Sequence, residues 1–135
     1  AGVCFEDKVF PKSNSLADGD HRLAEVNEFC GRIKAGKDSQ SDPDFCLVAR
    51  TEAFIAGHGL DEALRRAEAY HAAGADAVLV HSKQPSGAEV LAFAERWAQR
   101  CPLVIVPTAF YTVPSATWRD ARISTVIYAN HMMRA

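Results

Sequence analysis

No run of this sequence is long and apolar enough to cross a bilayer; the longest, such as 103–106, fall far short of the roughly 20 residues a spanning helix needs. The opening residues 1–8 hold two acids and no basic cluster ahead of an apolar segment, so they do not read as a secretion signal. Charge of one sign is missing too. With 15 Lys and Arg against 17 Asp and Glu, the formal charge is -2, and the chain has no surplus of cations to neutralise a phosphate backbone. These absences predict a cytoplasmic protein with neither a membrane nor a nucleic acid as partner.

Paired cysteines are absent as well. Cys4, Cys30, Cys46 and Cys101 form no CxxC pair, and three lie within or beside apolar runs, which predicts buried, reduced thiols. The five histidines, His21, His58, His71, His81 and His131, show no HxxxH or Cys/His spacing, so a zinc site is not expected. There is no P-loop, nucleophile elbow or dinucleotide fingerprint; Gly57-His58-Gly59 is too short to count as one.

What the chain does have is enough apolar material, 48% of 135 residues, to bury a core in a single domain. Apolar, β-branched runs at 2–5, 45–49, 77–80, 103–106 and 125–128 are continuous rather than alternating, which predicts parallel strands covered on both faces. Between them, Leu23, Val26, Cys30 and Ile33 share one helical face. So do Leu60, Ala63, Leu64 and Ala67, and then Val90, Phe93, Ala94 and Trp97. Ser86 and Glu89 have the spacing of a capping box, Gly74 stands where the second helix should stop, and a shorter helix is expected over 115–122. The pattern is that of an α/β fold, either part of a barrel or an open flavodoxin-like sheet.

Polar residues collect just past the carboxyl end of each predicted strand: Glu6 and Asp7, Arg50 and Glu52, His81 and Ser82, Thr108, then Asn130 and His131. In barrels and open parallel sheets alike, loops at that edge converge on one crevice, so the site is expected there. The stretch 7–21 lacks periodicity and contains Pro11 and Gly19; it is expected to be a long mobile loop over the strand ends. A permanently charged guanidinium at a strand end suits a phosphate or carboxylate, and an imidazole nearby can donate to an anionic oxygen. From these residues alone, Arg50 serves equally well as an anion ligand or as a structural partner of Glu6 or Glu52.

Several longer motifs carry a resemblance. Glu6-Asp7-Lys8-Val9-Phe10-Pro11-Lys12-Ser13-Asn14-Ser15-Leu16, Val48-Ala49-Arg50-Thr51-Glu52-Ala53, Val80-His81-Ser82-Lys83 and Ile105-Val106-Pro107-Thr108 together resemble the phosphoenolpyruvate mutase family, within the isocitrate lyase and phosphoenolpyruvate mutase superfamily. The resemblance runs over essentially all 135 residues. It implies a partial (β/α)8 barrel, about strands four to eight, with the N-terminal strands and the C-terminal helix missing. The chain opens without Met almost inside a strand and closes where another helix would begin, which fits that expectation.

The resemblance further implies Mg2+ as cofactor, with Glu6 holding it through a bound water and the direct ligands upstream. Arg50 would bind the phosphoryl group, His81 would hydrogen-bond the migrating group, and Lys12, Asn14 and Leu16 would belong to a gating loop. The implied substrates are phosphoenolpyruvate and phosphonopyruvate, the implied assembly a homo-oligomer, and the implied pathway partner a phosphonopyruvate decarboxylase that draws off the disfavoured product. Asn14 is similar to mutases, whereas Ala109 and Tyr128 look closer to phosphonopyruvate hydrolases, where mutases more often carry Lys and Trp. The loop lacks the Lys-Cys-Gly-His motif of the carbon-carbon lyases, although Thr51 resembles them. An inactive barrel fragment is the remaining alternative.

Overall fold

The computed structural model describes residues 1–129; Asn130, His131 and the helix start expected at 132–135 lie outside the described residues. Five parallel strands follow one another across a single sheet in chain order. They are β1 (Gly2–Glu6), β2 (Cys46–Thr51), β3 (Ala77–Val80), β4 (Leu103–Ile105) and β5 (Thr125–Val126). The helices α1 (Val26–Asp38), α2 (Leu60–Ala72), α3 (Ala88–Trp97) and α4 (Ser115–Asp120) fill the crossovers. A flavodoxin-like sheet would reverse its order beside the first strand. This one never reverses, and α2 packs against both α1 and α3 as well as on β2 and β3, so the three long helices cover one face as in a barrel wall.

The alternation of side chains along β2 explains what each face is for. Leu47 and Ala49 point to the helices, where they meet Phe29 and Ile33 of α1 and Tyr70 of α2. Val78 and Val80 of β3 do the same against Ala63, Leu64 and Ala67 of α2 and Phe93 and Trp97 of α3. Trp97 stacks on Phe93 at 5.6 Å between ring centroids and donates its indole N–H to the Cys101 carbonyl, so its polar atom is satisfied within the core. The opposite face carries a small apolar floor of Ala77, Leu79 and Val104, with Val48 and Val106 beside it. Above that floor the register sets Glu6, Arg50 and Leu79 in one row.

Several local expectations need correction. Leu23 precedes α1, which starts at Val26 behind a Glu25 side chain that accepts from the Asn27 amide at 2.7 Å. Phe29, fully buried and edge-on to Tyr70, supplies the packing there. Helix α3 has no capping box. Its N-cap is Gly87 at φ 69°, while Glu89 turns back to accept from the Ser82 hydroxyl. Ser82 is therefore a fold residue. Gly74 does follow the end of α2, at φ 112°. All four thiols are free, but only Cys101 is buried; Cys4 is exposed because β1 pairs on one side only among the described residues. β5 is shorter than expected, and beyond it the Ile127 amide donates to the Ile105 carbonyl.

Candidate active site

Side-chain parity sorts the polar residues at the strand ends into two groups. Asp7 and Thr51 fall on the helix-facing side. The buried Asp7 carboxylate accepts from the Thr51 hydroxyl, the Glu52 amide, the Tyr70 hydroxyl at 2.7 Å and the Arg66 guanidinium at 3.4 Å. Burial pushes the Asp7 carboxyl above its ordinary value, against the pull of those donors. This cluster is scaffold. The Asp7 carbonyl also accepts from the Ala24 amide, so it joins the two ends of the connecting segment 7–25.

Glu6, Arg50, Glu52 and His81 fall on the inner side, and there they meet. Arg50 Nη2 lies 2.8 Å from His81 Nδ1, and Arg50 Nε donates to Glu52 Oε1 at 2.7 Å. Glu6 Oε2 lies 3.9 Å from Arg50 Nε and accepts from Lys12 Nζ at 3.1 Å. Of the two partners open to Arg50 from the sequence, Glu52 is thus the direct one. Arg50 Nη1 and His81 Nε2 make no hydrogen bond within the described residues, so the guanidinium keeps a donor edge for an anion, and the imidazole keeps a nitrogen that donates to one when it carries a proton.

Glu52 is the centre of this network, fully buried two residues past Arg50. It also lies 3.0 Å from His81 Nδ1 and accepts from the Ser15 hydroxyl. Burial alone would raise its pKa, but the hydrogen bond from His81, the charge of Arg50 and the Ser15 hydroxyl overcome that and hold it down at about 2. His81 Nδ1 can either accept from Arg50 or donate to Glu52, not both. An anion that engages Arg50 leaves Nδ1–H to Glu52, which then fixes the orientation of the imidazole.

The segment 7–25 is tied down along its length, contrary to the expectation of a mobile loop. Lys8 pairs with Leu23 in an isolated antiparallel bridge, and its buried ammonium donates to the Ser13 carbonyl and the Ser15 hydroxyl. His21 is buried between Ser13 Oγ and the Ala17 carbonyl. Of the expected loop residues, Lys12 reaches the network through Glu6. Asn14 and Leu16 are exposed: the Asn14 side-chain oxygen accepts from the Leu16 amide, and neither side chain hydrogen-bonds Arg50 or His81 among the described residues. Ser15 between them does, with its hydroxyl 3.3 Å from Arg50 Nη2. Thr108 is buried and Tyr111 exposed, and neither enters the network. Sequence reasoning assigned no role at the site to Ser15 or Lys8 and gave Glu52 only as a strand-end polar residue and alternative structural partner of Arg50; the i, i+2 spacing of Arg50 and Glu52 on a strand was the available signal.

No group of three or more His, Cys, Asp or Glu suited to a metal ion occurs among the described residues. The Glu6 carboxylate fits a water on a hydrated cation, since one oxygen is held by Lys12 and the group remains partly open. A cleft of about 660 Å3, lined in part by His21, Arg22, Phe54, His58 and Lys83, contains neither Arg50 nor His81. Its buried cation, Arg66, is already engaged by Glu62, Asp7, Tyr70 and the Ala24 carbonyl.

The family model for phosphoenolpyruvate phosphomutase matches residues 1–135. The chain belongs to the phosphoenolpyruvate phosphomutase family. Among curated relatives, the phosphoenolpyruvate phosphomutase of Tetrahymena pyriformis is 59% identical over 136 residues, covering 100% of this chain and 45% of that protein. The crystal structure of phosphoenolpyruvate phosphomutase from Streptomyces platensis subsp. rosaceus superposes with a TM-score of 0.94 at 56% identity, over 98% of this chain and 46% of that one. A phosphonopyruvate hydrolase solved in complex with oxalate and Mg++ superposes with a TM-score of 0.87 at 42% identity, over 98% of this chain and 45% of that one. The chain thus spans a little under half the length of these phosphomutase-family relatives. No helix among its described residues is long and apolar enough to cross a membrane.

Proposed function

We propose that this chain forms part of a phosphoenolpyruvate phosphonomutase, a single barrel domain whose remaining strands and final helix lie outside residues 1–135. The observation that carries the reading is the Arg50–His81 contact at 2.8 Å, with an open guanidinium edge, beneath a segment anchored at Ser15. In the forward reaction the bond between phosphorus and the enol oxygen of phosphoenolpyruvate breaks. The electron pair returns through the enolate to its methylene carbon, which forms the new bond to phosphorus, and no proton is gained or lost. The transferring group passes through a loose state that needs holding and charge compensation rather than a strong base. Arg50 and His81 provide the hold, and Lys12 and Asn14 sit on the segment that excludes water.

Charge balance supports a metal. Lys8, Lys12 and Arg50 against Glu6 and Glu52 leave about one net positive charge, short of what a carboxylate plus a phosphoryl group require. Mg2+ would supply the remaining positive charge to the substrate oxygens. Glu6 would hold one of its waters, and its direct ligands would come from outside the described residues. The substrates are small molecules, and we extend the reading to a cytoplasmic homo-oligomer. Because the phosphate ester is the favoured side of the equilibrium, the product needs a decarboxylase to consume it.

The test is to incubate the intact enzyme with phosphonopyruvate and magnesium and follow phosphorus NMR. Appearance of phosphoenolpyruvate is expected; inorganic phosphate with pyruvate would reject the mutase in favour of the hydrolase. That second reading rests on Ala109 and Tyr128. Asn14→Ala should reduce transfer roughly a hundredfold, the scale of a lost positioning contact. Unchanged turnover would remove Asn14 from the mechanism.

A further inference from the structure

The two oxygens of Glu52 have different duties. Oε1 faces the strand ends, taking Arg50 Nε at 2.7 Å and lying 3.0 Å from His81 Nδ1. Oε2 faces the segment 7–25, accepting from Ser15 Oγ at 2.5 Å with Lys8 Nζ at 3.6 Å. Ser15 is saturated: its one proton goes to Glu52, while its oxygen accepts from Lys8 Nζ at 3.0 Å and lies 3.3 Å from Arg50 Nη2. One buried carboxylate therefore ties the groups offered to an anion to the segment that covers them. We infer that Glu52 and Ser15 form a latch that decides whether the transferred group reaches carbon or is lost to water. This inference rests on the phosphoryl-transfer reading above and adds residues to it.

The physical argument is one of linked positions. Ser15 sits between Asn14 and Leu16 in the turn closed by the Asn14 side chain, so anchoring Ser15 sets where that turn lies. Lys8, at the start of the segment, is stapled to the same hydroxyl. Removing the Ser15 hydroxyl leaves an ammonium and a carboxylate each short of one buried partner, and both regain it most readily by admitting water. Water taking the place of the Ser15 hydroxyl at Oε2 would lie about as near Arg50 Nη2 as that hydroxyl does now, 3.3 Å, and so within reach of a group that Arg50 holds. Opening of the latch and hydrolysis are then one event, whereas a loss of packing alone would lower every rate together. Glu52 and Ser15 act through Arg50, His81 and the segment, and are positioning residues.

The experiment compares the unmodified intact enzyme with Ser15→Ala and Ser15→Thr, using phosphonopyruvate and magnesium, with phosphorus NMR reading the ratio of inorganic phosphate to phosphoenolpyruvate. Loss of one charge-assisted hydrogen bond should raise that ratio about tenfold or more in Ser15→Ala, and Ser15→Thr, which keeps a hydroxyl, should bring it back to within about twofold of the unmodified enzyme. A fall in both products at constant ratio would overturn the latch. A second measurement needs no turnover. Tryptic cleavage after the exposed Lys12, measured well below the Tm of both proteins, should accelerate about tenfold in Ser15→Ala, because the anchored segment opens more often. If the unmodified enzyme makes no phosphoenolpyruvate, the mutase reading fails and cleavage alone judges the latch; equal cleavage rates would then reject it.

Discussion

Glu52 combines complete burial with full ionisation, and that combination has a measurable cost in acid. Its pKa of about 2 lies below the ordinary 4.5, so its stabilising contribution is present above pH 4.5 and is lost as pH falls from 4.5 toward 2. A shift of that size corresponds to about 3 kcal/mol for a carboxylate with no solvent exposure. Thermal melts of the intact protein should show Tm falling across that window, with a shallower fall in Glu52→Gln. Equal slopes would mean that the carboxylate is not held by Arg50, His81 and Ser15 as described. The same residue explains what could be read beforehand. Arg50 and His81 were legible as strand-end polar residues that share one crevice, but the place of Glu52 between them and Ser15 was not, because Ser15 and His81 stand 37 and 29 positions from it in the chain.

The turn entering α3 shows how an element depends on a single backbone geometry. Gly87 occupies a left-handed conformation at φ 69°, and a Cβ there would stand 2.8 Å from Trp118 Cη2. Gly57 is also left-handed, at φ 81°, but nothing lies within 4 Å of its would-be Cβ. Gly57→Ala should therefore cost only about 1–2 kcal/mol of backbone strain, and Gly87→Ala roughly 2–4 kcal/mol because the aromatic packing of Trp118 on Phe110 must also give way. Chemical denaturation of the two variants separates these terms, and similar losses would remove the packing argument. The strands and long helices were legible because their periodicities are local. The Ser86–Glu89 spacing misled because Ser82 and Gln84, from the preceding turn, compete for the same groups: Ser82 holds the Glu89 carboxylate and the Gln84 side chain accepts its amide.

Taken as one body, residues 1–129 form a wall with a finished back and an unfinished front. The helix-facing side is closed by Trp97, Phe93, Tyr70 and Phe29, whereas on the inner side Cys4 is exposed and Val48 and Arg50 are only half-buried. Among the described residues the outer edge of β1 pairs with no strand, which invites association with another strand. Expressed alone, the 135-residue segment should self-associate on size-exclusion chromatography and give no magnesium-dependent conversion of phosphonopyruvate. Turnover by a monomeric segment would show that the barrel reading demands more chain than the chemistry does.

The residue pattern by itself determined the α/β order, the five strand positions and the edge on which polar groups gather, because burial on both faces and a helical stripe each leave a periodic mark within a dozen neighbours. It also carried the family resemblance. Only the tertiary structure decided that the sheet runs in unbroken chain order, that Asp7 and Thr51 turn to the helices while Glu6, Arg50, Glu52 and His81 turn inward, and that Ser15 rather than Asn14 hydrogen-bonds Arg50. The reason is geometric: a strand sends alternate side chains to opposite faces, and which face becomes site or scaffold depends on what the distant helices cover.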